Sequence, residues 1–300
     1  MQDLSRREFT KLSVAGSTAL AAAPAVKAVE KNKTEVWVFH GSDNRALMDK
    51  CMETIFANGG FGPKAKKVAL KVNAAWERTP EQGANTHPDL VDVFLEKTLA
   101  SGANVVMPEF PCHRAEKSFP GSGLQQIADK HNVDMIDLKT NKGAFREVQI
   151  PKGKTLTSEK VADEFLKADA VVNMPVAKHH KGGTLTICMK NWMGAVEGRK
   201  FWHAKGLHQC IADFSSFMKP TWAIVDATRC MTSDGPQGPS ENMIYPQQVI
   251  LSKDQVAADT VAALLFHDDP LAVVNYLAIA RDMGIGETDI SNMNIHRIEC

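Results

Sequence analysis

Short apolar runs alternate with helix-length amphipathic stretches along nearly the whole chain, and this alternation limits the fold more than any other feature. "TEVWVFHG" reads as a strand, followed by a helix over 44–56 that stops at Gly59 and Gly60. "KVALKVNA" and "ANVVMPEF" read as strands on either side of "HPDLVDVFLEKTLASG". That middle stretch has an acid in its first turn, apolar spacing of three to four and a closing glycine, which together predict a helix. Further strands are expected at "VDMIDL", "ADAVVNMPV", "TWAIVDAT" and "QQVILS", with an edge strand at "REVQIP". Helices are expected at 124–131, 158–168, 254–266 and 271–283. Strands separated by helices imply crossover connections and parallel pairing. The apolar runs lack strict alternation, as in strands covered on both faces. The expected fold is therefore α/β, a mostly parallel sheet with helices on both faces, either undivided or in two lobes. No clear linker divides 29–300, which reads as a single α/β domain. The most loop-like region is 231–247.

The amino terminus follows different rules. "SRREFTKLSVAGSTALAAAPAVKA" begins with paired Arg6 and Arg7, continues through an Ala-rich run and ends in small residues at Ala23, Ala25 and Ala28. This is the layout of an export signal, and the paired arginines resemble the twin-arginine type of bacteria. Its apolar run is shorter than the roughly 20 residues a membrane span requires. Residues 1–28 are thus expected to direct a folded chain through the twin-arginine machinery to the periplasm, with no permanent membrane span. Passengers of that route often carry a metal or redox centre, which raises the expectation of one here.

Charge excludes one class of partner. The 35 basic and 35 acidic residues cancel, so no basic field points to nucleic acid. The six cysteines form no CxxC pair and no ferredoxin-type run. Cys51 and Cys112 read as buried or unpaired thiols, and Cys300 is terminal. Cys188, Cys210 and Cys230 lie in the segment richest in His and Lys, which makes them the cysteine candidates for cofactor ligands.

In parallel α/β sheets, ligands bind beyond the carboxyl ends of strands. Four such exits carry polar groups: Lys71 and Asn73; Cys112, His113 and Arg114; Lys178 to Lys181; and Asp226, Thr228, Arg229 and Cys230. The third is the densest. Gly182 and Gly183 permit close approach, and Thr184 could cap a helix over 185–193. That helix start, with Lys178, Lys181 and a histidine beside it, would bind phosphate or carboxylate. The order of residues matches neither the P-loop nor the dinucleotide fingerprint. His180, His208 and Asp226 are candidate ligands for a mixed metal site, and the alternative is ordinary hydrogen-bonded histidines.

Several stretches resemble one family in its order: "VALKVNAAW", "ADAVVNMPVAKHH", "TLTICMKNWMGAV", "GLHQCIADF", "AIVDATRCMTSDGP" and "SKDQVAADTVAALLF". They look like the bacterial and archaeal domain of unknown function 362. The matching motif positions are Lys71, Asn73, Lys178, His180, Lys190 and Asn191, together with His208 and Asp226. Val72 stands where the family's K-x-N motif usually has proline. The resemblance implies a shared pocket in which the first six would be catalytic. Many members are described as iron–sulfur proteins, so it also implies an iron–sulfur cluster or a divalent metal. The ferredoxin-like segment of some members is missing here. Three functions follow as expectations: a redox protein or enzyme with a metal or iron–sulfur centre; a metal-independent pocket that binds or transforms a small anion; and a non-catalytic accessory protein.

Overall fold

The computed structural model describes residues 33–141, 143–238 and 241–300; residues 1–28, expected to be an export signal, lie outside them. Eight strands form the main sheet: β1 (Thr34–His40), β2 (Lys67–Val72), β3 (Asn104–Glu109), β4 (Asp134–Asp137), β5 (Ala170–Met174), β6 (Trp222–Ala227), β7 (Gln248–Ser252) and β8 (Met293–Glu299). Their order across the sheet is β8-β1-β7-β6-β5-β2-β3-β4. Only β7 runs antiparallel, against β1 on one side and β6 on the other; every other pairing is parallel. The fold is α/β, as the alternation of elements predicts.

Side-chain alternation along each strand divides the core into two layers. Phe39, Leu70, Met107, Val172, Ile224 and Leu251 face one layer, packed with the helices Asn44–Ala57 and Pro88–Ala100. Val38, Ala69, Ala223, Val225 and Ile250 face the other, packed with the helices Leu207–Phe217, Gln255–Ala263 and Asn275–Met283. Both faces are covered, so the strands carry apolar residues throughout.

Two expected helices are not formed as read. The stretch 158–168 begins as a strand, Ser158–Ala162, paired antiparallel with Phe145–Gln149 outside the main sheet; only Asp163–Leu166 is helical. The stretch 185–193 is not one helix capped by Thr184. Thr184–Thr186 pairs back on Lys178–His180 as a hairpin, and a single turn of helix, Cys188–Asn191, follows. Strand pairing out of the Gly182-Gly183 turn satisfies this backbone before the helix begins. Helix 271–283 is also broken, into Pro270–Val273 and Asn275–Met283. No helix among the described residues is long and apolar enough to cross a membrane.

Candidate functional site

Parallel strands bring their carboxyl ends to one edge of the sheet, and β2, β3 and β5 end side by side there. Lys71 lies opposite Asn173 in register, on the face toward the Cys188–Asn191 turn. Its Nζ is fully buried and donates to Val72 O at 2.5 Å, Glu109 Oε2 at 2.8 Å and Asn191 Oδ1 at 3.3 Å. Glu109, the last residue of β3, also accepts from Ala74 N at 3.1 Å. Burial pulls the Lys71 amine below its usual range, and the Glu109 carboxylate opposes that pull. Gly194 closes over the pair, since a Cβ there would meet Glu109 and stand 2.7 Å from Lys71 Nζ.

Asn191 is the hub. Its Nδ2 donates to Asn173 Oδ1 at 2.8 Å, and its Oδ1 accepts from Asn73 Nδ2 at 3.0 Å. Asn73 Oδ1 in turn accepts from Lys178 Nζ at 2.8 Å, and Lys178 also donates to Ala84 O. A continuous network thus runs from Glu109 through Lys71, Asn191 and Asn73 to Lys178. Burial, then the charge of Lys190, holds the Lys178 amine well below its usual range.

Lys190 stands apart from this network. It is 7% exposed, yet among the described residues its only polar contact is the thioether of Met193, with Nζ to Sδ 3.6 Å. Burial, helped by the Arg199 guanidinium, lowers its amine to about 8. Gly183 makes room for it: a Cβ there would lie 2.8 Å from Lys190 Cε and 2.9 Å from Cδ.

His180 Nδ1 accepts from two backbone donors, Gly182 N at 3.0 Å and Gly183 N at 3.1 Å. Burial, then Lys190 and Lys178, drives its pKa down to about 2. The ring is therefore neutral with its proton on Nε2, a fixed hydrogen-bond donor rather than an acid or base. Its neighbour His179 accepts from Gly235 N at 3.0 Å, which ties the 232–238 loop to the hairpin.

These groups surround a cavity of ≈ 320 Å³, lined also by Trp76, Phe110, Cys112, Thr186, Arg199 and His203. Glu109, already bound to Lys71, is the one carboxylate among the described lining residues. Arg199 stacks 4.6 Å from the Phe110 ring centroid and donates to Phe110 O at 2.9 Å and Pro111 O at 3.0 Å. The cavity thus sets a few cations and donors in a mostly apolar wall that includes Ala75, Trp76, Phe110, Met193 and Pro236, a layout that suits a small anion with an apolar part.

The structure brings Lys71, Asn73, Lys178, His180, Lys190 and Asn191 together at this one place. It does not do so for the metal candidates His180, His208 and Asp226. On β6, Val225 and Ala227 face the layer that holds the helix of His208, so alternation turns Asp226 to the opposite face. There it accepts from His87 N at 2.8 Å and from Arg229 Nη1 at 2.8 Å. Although burial raises the Asp226 carboxyl, Arg229 and His87 hold it below its usual range. His208 stacks on Tyr276, with ring centroids 6.1 Å apart.

Cys188, Cys210 and Cys230 do not gather into a ligand set either. All three are buried, and burial raises each thiol, to about 11 for Cys210 and well above the usual range for Cys188 and Cys230. Among the described residues, no three His, Cys, Asp or Glu side chains are placed to hold a metal ion. His180 would need its proton on Nδ1 to ligate through Nε2, and two N–H groups occupy that position. The donor set does not fit the iron–sulfur or divalent metal centre that the family resemblance implies.

The expected anion site at a helix start is also corrected. The N–H groups of Cys188 and Met189 are taken by Asp259, at 2.7 and 3.0 Å. Asp259 is buried and was not foreseen from the sequence, nor were Glu109, Thr186 and Arg199. An acid inside the apolar "VAADTVAALL" was the available signal for it, and an acid closing an apolar strand was the signal for Glu109.

Burial raises Asp259 to about 7, against the two N–H groups that favour its anion. The folded chain then keeps this proton up to about pH 7, whereas the unfolded chain loses it near 3.8. The contribution to stability is complete below pH 4 and is lost as pH rises toward 7. Relative to Asp259→Asn, the wild type is expected to lose about 4 kcal/mol of stability between pH 4 and pH 7. Urea unfolding of both proteins across that range measures the difference, and a constant difference would refute the assignment.

The fold and site define a doubly covered α/β protein with a cationic cavity at the carboxyl edge of its parallel strands. The chain belongs to the family described as Domain of unknown function (DUF362), whose sequence profile matches residues 68–264. It is 22% identical over 260 residues to a thylakoid-associated protein of Synechocystis sp., covering 81% of this chain and 76% of that one. Among solved structures it is similar to the lactate racemase apoprotein from Thermoanaerobacterium thermosaccharolyticum, with 11% identity and a TM-score of 0.37. That match covers 57% of this chain, which spans 41% of the racemase chain.

Proposed function

We propose that the cavity binds a small carboxylate-bearing anion and acts on it through its lysine amines. The observation that carries this reading is Lys190, a buried cation with no oxygen partner among the described residues. A buried ammonium is costly unless paired, and an anionic ligand supplies the missing partner. Lys178 and Arg199 add positive potential, and His180 Nε2–H adds a neutral donor that could stabilise developing charge on a substrate oxygen. The fixed Lys71–Glu109–Asn191–Asn73 network would keep these groups in place. The paired arginines near the amino terminus support delivery of the folded chain to the periplasm.

Thermal unfolding in the presence of oxalate, pyruvate, propionate and inorganic phosphate tests the binding. At least one carboxylate is expected to raise the Tm, by an amount equivalent to about 2.7 kcal/mol at 100 times its Kd. The anion favours protonated Lys190, so affinity should fall as pH rises above about 8. A panel that leaves the Tm unchanged at pH 7 would overturn the reading.

A further inference from the structure

We propose that Lys190 is a covalent nucleophile for small 2-oxo acids, its Nζ adding to the substrate carbonyl carbon to form an imine. This rests on the anion-binding reading above and names the substrate class for the same cavity. Three lysines meet at this site, and their partners differ. Lys71 Nζ has three oxygen acceptors and Lys178 Nζ has two. Oxygens of the chain thus take hydrogens from both, and Lys71 has a carboxylate among its acceptors. Among the described residues Lys190 has only a thioether, so no oxygen of theirs fixes its proton.

A second observation points to a ligand beside it. The Oγ1 of Thr186 is buried and without a hydrogen-bond partner among the described residues, in a residue 4% exposed that lines the same cavity. The cavity therefore presents an uncommitted amine and the Nε2–H of His180, with the buried Thr186 hydroxyl in its wall. Arg199 adds guanidinium hydrogens: of its five, the chain's carbonyls and the Cys112 thiol, 3.5 Å from Nη1, take three. A carboxylate suits Arg199 and Lys178. A carbonyl oxygen one bond away suits His180 and Thr186, which leaves its carbon to the amine. A desolvated lysine beside another cation is the usual means of keeping such an amine nucleophilic near neutrality.

The step balances without any oxidant or reductant. The neutral amine forms the N–C bond as the carbonyl π pair moves to oxygen. A proton passes from nitrogen to that oxygen, giving a carbinolamine. The C–O bond then breaks, and the oxygen leaves as water with one proton from solvent. The product is a protonated imine that can accept an electron pair from a neighbouring carbon.

The test is incubation of the full chain with pyruvate and sodium borohydride, followed by intact and peptide mass measurement. One reduced adduct per chain is expected, on Lys190, with a yield that rises through pH 8 and is absent in Lys190→Met and Lys190→Arg. Stabilisation by propionate or oxalate without a pyruvate adduct would overturn the nucleophile and leave the anion site standing. Adducts spread equally over surface lysines, unchanged in Lys190→Met, would overturn it as well. If neither stabilisation nor adduct occurs, both readings fall together.

Discussion

Replacing Lys71 with methionine is expected to lower the unfolding free energy by about 3–5 kcal/mol, because it strands a buried carboxylate. Glu109 would keep only the Ala74 N–H, and Asn191 Oδ1 would lose one of its two donors. Little water can enter, since both side chains of the pair are at most 1% exposed. The complementary Glu109→Gln should cost a comparable amount by stranding the Lys71 ammonium. The double replacement Lys71→Met with Glu109→Leu should recover much of the loss, because it removes both charges together. Urea midpoints of the four proteins measure this cycle. Single variants within 1 kcal/mol of wild type would show that the pair is not what holds the site edge. The same cycle separates structure from function, because the double variant should fold while the Asn191 hub relaxes and anion binding weakens.

How far the sequence disclosed this site depends on the type of signal. The α/β architecture was legible because strand and helix periods are local, and both faces of the sheet are covered. Lys71, Asn73, Lys178 and His180 were legible as positions because they follow strands whose ends meet at one edge, whereas Lys190 and Asn191 were singled out by the family resemblance. Their roles were not. Whether His180 donates or accepts depends on two N–H groups in a turn that sequence reads only as flexible. The identity of the unpaired lysine depends on Glu109, which lies 38 residues from Lys71 along the chain. The error over Asp226 has a simple cause. A strand exit and a matching motif position say nothing about which face a strand residue takes, and the residues on either side of it decide that. The hairpin at 178–186 was missed because three-residue strands carry too little periodicity to be told from a helix start.

Lys190→Met should make the unliganded protein more stable while removing anion binding, and these opposite signs distinguish a site lysine from a structural one. The folded chain holds this proton only to about pH 8, whereas the unfolded chain holds it to 10.5. The unfolded state therefore binds more protons between those values. The lysine's penalty on folding is complete below pH 8 and fades as pH rises to 10.5. From the shift alone the penalty is about 3 kcal/mol. A methionine of similar length placed beside Met193 should recover about 1–3 kcal/mol of it at pH 7, with the gain shrinking toward pH 10. Loss of a charge-assisted bond to the ligand should weaken carboxylate binding by roughly 10- to 100-fold. Chemical unfolding at pH 7 and pH 10, together with calorimetric titration of oxalate, measures both effects. If Lys190→Met is destabilised at pH 7, the amine serves the fold, and the cavity needs a different explanation. If it is stabilised and still binds oxalate normally, the anion is held by Lys178 and Arg199 instead. Only a gain in stability joined to a loss of binding fits a chain that keeps a buried, unpaired amine for what it does to a ligand.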